Sequence, residues 1–318
     1  MPDASGIPLF KKLEAIRMTT TQPKPLRKSK GLMHHINRVG WLFILPAVAL
    51  ILVLCFYPMI EAFILSLQKG KGNNLSWNGL NNYTRLFKDK VYLQAVQNTF
   101  FYLIIQVPIM LGIALLLASM LNDKTLRFKG IFRTLIFLPC ATSLVSCSII
   151  FKQLFSPSGL VNTLLLTWGW ISEPYPFLTE ATSARIIIIV TMLWRWTGYN
   201  MIFYLAGLQN IDYQVYEAAR IDGASAVQQF TKITVPLLKP IILMTTVLST
   251  NGTLQLFDEV RNMTNGGPNN ATTTISTYIY KLSFEQVPQF GYASALAYTI
   301  FIMVAILALI QMKVGDKQ

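Results

Sequence analysis

The sequence predicts an all-α membrane protein with six transmembrane helices and a cytoplasmic helix–glycine–helix loop between spans four and five. Three observations predict it. Of the 318 residues, 53% are hydrophobic and only 13% charged, whereas soluble domains average about 25% charged. Six apolar runs each approach the roughly 20 residues a helix needs to cross the hydrocarbon core. Finally, lysines and arginines concentrate in alternate gaps between those runs.

The elements follow in chain order. Residues 1–38 are polar, basic and rich in turn formers, and read as a disordered cytoplasmic arm lying on anionic lipid. The runs are 41–62, 99–121, 134–151, 186–206, 238–257 and 293–312, the third and fifth being the weakest candidates for spans. Prolines 46, 58, 108 and 139 interrupt several of them, which membrane helices tolerate where neighbours re-satisfy the backbone. The arm is too long for a signal n-region, so the first run reads as a span and not as a cleaved leader. With the amino terminus inside, inner segments carry seventeen Lys and Arg and outer segments nine. That bias puts both ends in the cytoplasm of a multi-pass protein. The first outer gap, with Lys69, Lys71, Arg85, Lys88 and Lys90, runs against the trend. Residues 315–318 form a short cytoplasmic tail.

Several function classes lack support. A net charge of +13 would suggest nucleic acid in a soluble chain, but here it reads as a topology signal and no nucleic-acid partner is expected. Cys55, Cys140 and Cys147 all fall in apolar runs. Cys140 and Cys147 stand about 10 Å apart along a helix, too far for a disulfide. His34 and His35 are the only histidines, so no metal site, cofactor or Ser/His/Asp or Cys/His catalytic set is expected. No G-x-x-x-x-G-K-[ST] loop is present to cradle nucleotide phosphates.

The most informative stretch is 207–240. Residues 213–222 read as a short helix that Gly223 breaks in the manner of a left-handed cap. Ser225 is a candidate N-cap for a second amphipathic helix carrying Val227, Phe230 and Ile233. Pro236 and Pro240 mark entry to span five. An amphipathic loop resting on the membrane is the plain alternative. Few cations and no bulky apolar face before Phe230 favour protein docking instead.

A transport path needs polar groups at mid-membrane depth, which are costly unless they face water or partners. Span four carries Trp194, Arg195, Trp196, Thr197, Gly198, Tyr199 and Asn200. Span five carries Ser249, Thr250, Asn251, Gly252, Thr253 and Gln255. Span three carries Cys140, Thr142, Ser143, Ser146 and Ser148. Helix packing explains such small polar residues equally well and is the preferred reading for span three. The aromatic rings, amides and arginine of spans four and five favour a path, and they suit sugars. Arg195 either meets an acidic substrate or is held inside the protein. Asp258 and Glu259 lie nearer the outer edge, so a direct pair with Arg195 is disfavoured on depth.

The string E-A-A-x-x-D-G-A-x-x-x-x-x-F-x-x-I-x-x-P-x-x-x-P, from Glu217 to Pro240, resembles the EAA loop of binding-protein-dependent ABC importer permeases. The flanking WRWTGYNMIFYLAGLQNI, MTNGGPNNATTTISTYIYKLSF and FGYASALA resemble carbohydrate-type members, most nearly the larger permease of a heterodimeric pair. The likeness covers roughly 40–312, so residues 39–314 would form a six-span permease domain in a bacterial cell membrane. It implies that Glu217, Ala218, Ala219, Arg220, Asp222, Gly223 and Ala224 dock on the ATPase. It further implies a path at Cys140, Leu144, Thr197, Gly198, Ser249, Thr253, Leu256 and Asp258, beside Ser143, Arg195, Tyr199 and Asn200 named above. Implied partners are a second permease subunit, two cytoplasmic ATPase subunits, an extracytoplasmic solute-binding protein, membrane lipid and a carbohydrate substrate. That substrate is a sugar or oligosaccharide, with sugar acids and glycerol phosphates left open. A self-sufficient secondary transporter is the alternative; it would need coupling-ion ligands and often shows inverted repeats, and no repeat is visible.

Overall fold

The computed structural model describes residues 30–72, 74–123 and 125–316. Residues 1–29 of the expected arm and the last two of the expected tail lie outside them. The chain divides into two compact units, the first ending at Ile60 and the second beginning at Glu61.

The first unit holds α1 (Lys30–Ile51), which begins inside the segment read as an arm. A π-helical turn at Leu52–Phe56 follows, and then α2 (Tyr57–Ser66), which carries the chain into the second unit.

In the second unit a hairpin of β1 (Gln68–Lys71) and β2 (Asn74–Trp77) pairs antiparallel, from Gln68 opposite Trp77 to Lys71 opposite Asn74. No strand is expected from the sequence; the turn-forming KGKGNN is the signal that could have shown it. The short α3 (Asn81–Leu86) leads to α4 (Lys90–Asn122), whose start is fixed by Asp89. Its carboxylate accepts the backbone N–H groups of Val91 and Tyr92 at 2.9 and 3.2 Å, groups that a helix start otherwise leaves unpaired. Next come α5 (Lys129–Ala141), α6 (Leu144–Leu154) and α7 (Leu160–Thr167). Glu180 caps α8 (Ala181–Gln209). Backbone N–H groups of Ser183 and Thr182 hold its carboxyl down at a pKa of about 2.

Asp212 caps α9 (Tyr213–Ile221), and a capping box of Ser225 and Gln228 opens α10 (Ala226–Gln229). A π-helical turn (Phe230–Thr234) and α11 (Val235–Leu237) lead into α12 (Lys239–Leu254) and α13 (Asp258–Met263). The chain ends in α14 (Ile275–Tyr280), a third π-helical turn (Lys281–Glu285) and α15 (Phe290–Asp316).

Among the described residues, four helical stretches are long and apolar enough to cross a membrane: Val39–Ser66, Lys90–Asn122, Ala181–Gln209 and Phe290–Gly315. Two bent pairs raise the number to six if each counts as one span. Runs 41–62, 99–121, 186–206 and 293–312 fall within the four long stretches. Run 134–151 is broken in its middle, whereas run 238–257 is one helix, α12, from Lys239 to Leu254, and the second bend lies before it. The first pair bends by 98° between Ala141 and Leu144, because Thr142 and Ser143 are both extended. The second bends by 71° at Leu238, where Pro240 opens α12 in the first turn, a place that needs no N–H.

Helices α4, α8 and α12 pack together around the site. Ala114, Ala118 and Leu121 of α4 meet Met201, Tyr204 and Leu208 of α8 in one cluster with Leu238. Nearer the other end, Tyr102, Ile187, Ile188, Met192, Leu256, Val260 and Met263 form a second cluster with Cys147 and Phe151 of α6. The segment after α12 is tied down from two sides. Asn98 donates to the carbonyls of Asn270 and Thr273, and Arg185 to that of Ala271 at 2.8 Å. Thr274 Oγ1 then donates to the carbonyl of Leu256 at 2.7 Å, which fixes the residues between α12 and α13.

Candidate functional site

A cavity of about 320 Å³ opens between α4, α6, α8, α12 and the start of α13, at the lower end of the sizes that hold small ligands. Helix α4 supplies Gln106 and Met110; α6 supplies Leu144. Helix α8 supplies Met192, Trp196, Tyr199 and Asn200, and α12 supplies Leu248, Ser249, Gly252 and Thr253. Gln255, Leu256, Phe257, Asp258 and Glu259 close one end. The one-turn spacing of Met192, Trp196 and Tyr199 on α8, and of Ser249 and Thr253 on α12, puts each set on one helix face.

The polar groups are already organised. Thr253 Oγ1 donates to Gln106 Oε1 at 3.1 Å, and Gln106 Nε2 points at Met110 Sδ at 3.0 Å. Asn200 Nδ2 donates to the Trp196 carbonyl at 3.0 Å, while Ser249 Oγ approaches Asn200 Oδ1 at 3.4 Å. Trp196 and Tyr199 meet edge to face with centroids 5.9 Å apart, and Tyr199 and Phe203 at 5.0 Å. No side chain projects from Gly252, and space remains open where its Cβ would stand. Amides and hydroxyls beside aromatic faces can bind a polyol through its hydroxyls while stacking its C–H faces.

The structure brings together Leu144, Tyr199, Asn200, Ser249, Thr253, Leu256 and Asp258 of the expected path residues. It places Cys140, Ser143, Arg195, Thr197 and Gly198 outside the cavity wall. Arg195 is buried, with Nη1 on the Pro139 carbonyl at 3.1 Å and on Thr142 Oγ1 at 3.2 Å. Its Nη2 reaches the Cys140 carbonyl at 3.3 Å. The guanidinium thus supplies a donor to the Cys140 carbonyl at the end of α5 and a further one to the Pro139 carbonyl, which also accepts from the Thr142 hydroxyl and N–H. Cys140 and Ser143 belong to that same bend. Thr197 is buried. At Gly198 a Cβ would run into the backbone carbonyl of Ile136, so the glycine lets α5 lie directly against α8. Gln106, Met110 and Glu259 line the cavity without having been expected from the sequence. A lone amide inside an apolar run, beside Pro108, is the signal that could have pointed to Gln106.

At the 207–240 loop, α9 buries no residue. Glu217, Ala218, Arg220, Asp222 and Gly223 are exposed, with Ala219 and Ala224 half-buried. Ile221 is 87% exposed and Val227 71%, an unusual display for aliphatic side chains. Gly223 has φ +79° and ends α9. Underneath, Tyr216 and Thr234 hydroxyls bond at 3.0 Å, and Arg220 donates to Tyr213 Oη at 3.0 Å. Asp123, at the end of α4, lies below the usual carboxylate range. The backbone N–H and the hydroxyl of Thr125 are the main causes, with Lys129 and Arg220 adding charge.

Residues 90–315 match the family described as binding-protein-dependent transport system inner membrane components. The chain is 51% identical over 296 residues to the lactose transport system permease protein LacF of Rhizobium radiobacter, covering 92% of this chain and 97% of that one. It is 32% identical over 312 residues to the arabinooligosaccharides transport system permease protein AraP of Bacillus subtilis, covering 95% and 98%. Among solved structures it resembles a chain of a bacterial ABC transporter involved in import of the acidic polysaccharide alginate. There the TM-score is 0.80 at 25% identity, over 91% of this chain and 99% of that one. A second structure, of the alginate transporter in complex with an alginate pentasaccharide-bound periplasmic protein, matches with a TM-score of 0.75 at 26% identity, over 90% and 96%. The chain belongs to the family of binding-protein-dependent transport system inner membrane components.

Proposed function

We propose that this chain is a permease subunit of an ATP-driven ABC importer and forms half of the path for a sugar or oligosaccharide. The observation that carries the reading is the cavity of amides, hydroxyls and aromatic rings among helices of membrane-spanning length. Lactose and arabinooligosaccharide permeases among the relatives support carbohydrate as cargo.

In this reading the bent pair Lys129–Ala141 and Leu144–Leu154 counts as one span and the stretch Lys239–Met263 as another, giving six, with both termini in the cytoplasm of a bacterial cell. The α9–α10 loop is the contact to a cytoplasmic ATPase. Exposed Ile221 and Val227 offer apolar area, Glu217, Arg220 and Asp222 set register by charge, and Gly223 allows the turn. The chain itself is not catalytic. A second permease completes the path, two ATPase subunits supply energy, and a solute-binding protein delivers cargo, as the periplasmic-protein complex of the alginate transporter illustrates for that system. Hydrolysis would rock the helices around the cavity so that it faces each side in turn.

The test is reconstitution in vesicles. Sugar uptake is expected with the second permease, ATPase and binding protein present together with ATP, and not with this chain alone. Uptake by this chain alone would instead favour a self-sufficient transporter.

A further inference from the structure

An exposed apolar surface lies outside the candidate spans, on α7 and the turn after it. From Phe155 to Ser172 the chain carries no charged side chain. Leu160, Leu164 and Leu166 of α7 are exposed, and Trp168 and Trp170 just beyond it are 59% and 71% exposed. Their rings tilt against each other with centroids 5.3 Å apart. Gly169, at φ +70°, ends the helix as a left-handed cap. Its N–H donates to the Leu166 carbonyl at 3.0 Å, and that of Trp170 to the Leu165 carbonyl at 2.9 Å, so the backbone under the two rings is fixed.

The level of this surface is set by what lies beneath it. Buried Asn162 donates to the carbonyls of Ser156 and Tyr175, both at 3.0 Å, and accepts the Tyr175 N–H at 2.8 Å. A Cβ at Gly159 would run into the carbonyls of Gln153 and Leu154, so α7 starts directly against the end of α6. Phe155 and Phe177 meet edge to face at 5.5 Å. Both pack on the cluster that holds Ile187 and Ile188, about 10 Å along α8 from its first residue. Ser183 Oγ donates to the Phe177 carbonyl at 2.7 Å. Here α8 passes from charged Glu180 and Arg185 to an apolar run beginning at Ile186, the change of character expected where a helix enters the hydrocarbon core. The loop is therefore level with the edge of the membrane.

We infer that α7 and the Trp168–Trp170 pair rest on the lipid bilayer, with the two indoles at the boundary between headgroups and acyl chains. An indole suits that layer because its body is apolar while its N–H needs a polar partner. The exposed leucines supply apolar area to the acyl side, and the lack of charge spares the element a desolvation cost. The inference rests on α8 crossing the membrane, whatever the cargo. Its consequence is a mooring: α6 gives Leu144 to the cavity at one end and is tied to lipid through α7 at the other.

The test reads tryptophan fluorescence of the complete importer in nanodiscs. One set is made with ordinary phosphatidylcholine and one with phosphatidylcholine brominated on the upper part of its acyl chains. Subtracting the spectrum of an importer carrying Trp168→Phe with Trp170→Phe isolates the pair. Trp170→Phe alone gives a second difference should the double variant not assemble. The pair is expected to lose about half or more of its emission in the brominated bilayer, as rings at the acyl boundary should. Iodide in the water should quench the pair far less than it quenches a free tryptophan derivative. Strong quenching by iodide without quenching by bromine puts the pair in water and overturns the inference. Insensitivity to both means that a protein partner covers the pair, and overturns it as well.

Discussion

Arg195 shows how a single side chain can be visible in a sequence while its role is not. An arginine inside an apolar run is a functional candidate on charge alone, but its partners, Pro139, Cys140 and Thr142, lie more than fifty residues earlier in the chain. Only the tertiary approach of α5 to α8 shows that it serves backbone carbonyls. Removing it takes the guanidinium donor from the half-buried Cys140 carbonyl, at a cost of about 1–3 kcal/mol, while the Pro139 carbonyl keeps the Thr142 hydroxyl and N–H. Arg195→Ala should therefore lower the thermal midpoint of the purified protein and reduce uptake of every sugar to the same degree; a change in selectivity with unchanged melting would contradict this. Gly198→Ala puts a methyl group against the Ile136 carbonyl and should destabilise by about 1–3 kcal/mol, as overpacked cores do, read by chemical or thermal unfolding in detergent. At Asp89, burial pushes the carboxyl up. Hydrogen bonds from the Tyr292 and Tyr278 hydroxyls and from the backbone of Tyr92 and Val91 outweigh that and hold it below the usual range. A lowered native pKa gives stability that is present above the unfolded value, about 3.9, and lost as pH falls through the native one. Wild type should thus lose stability below about pH 4 in a component that Asp89→Asn lacks, seen by comparing their unfolding midpoints from pH 7 to pH 3.

Among elements, the long apolar helices were legible because their pattern is local. Two of them, α4 and α8, start at acidic caps, Asp89 and Glu180. The bends were not legible. Thr142 and Ser143 carry no strong breaker signal, and the 98° turn is held by Arg195 from another helix. The α9–α10 turn was legible, because Gly223 is the residue type that a left-handed cap demands and it has φ +79°. A Cβ there meets nothing within 4 Å, so Gly223→Ala isolates backbone strain, about 1–2 kcal/mol for a left-handed non-glycine residue. The expected result is a fall in sugar moved per ATP hydrolysed by the reconstituted importer, with the melting of the membrane helices unchanged. Likewise Ile221→Ser should weaken co-purification of the ATPase without destabilising this chain, since Ile221 is almost fully exposed.

For the whole molecule, part of the cavity wall was visible in the sequence. Polar residues on α8 and α12 stand out as interruptions of apolar runs, and Asn200, Ser249 and Thr253 among them line the cavity. Gln106 and Met110 do not stand out, because α4 reads as a nearly uniform apolar run and the face it turns inward is set by packing against α8. Replacing Gln106 with Leu removes the acceptor for Thr253 Oγ1 and an amide from the cavity. Sugar affinity of the nanodisc-held importer should fall several-fold while folding is kept, measured by saturation-transfer NMR. The packing that hides this wall also bears on how the protein is made. Of the four long candidate spans, α8 is the least apolar, and 56% of its most apolar stretch is buried inside the protein, against 39% for α4 and 22% for α15. A helix of that kind gains less than its neighbours from entering lipid by itself. Its main companion, α4, precedes it in the chain and is therefore synthesised first. Chain order thus supplies a docking surface to the helix that most needs one at the moment of insertion.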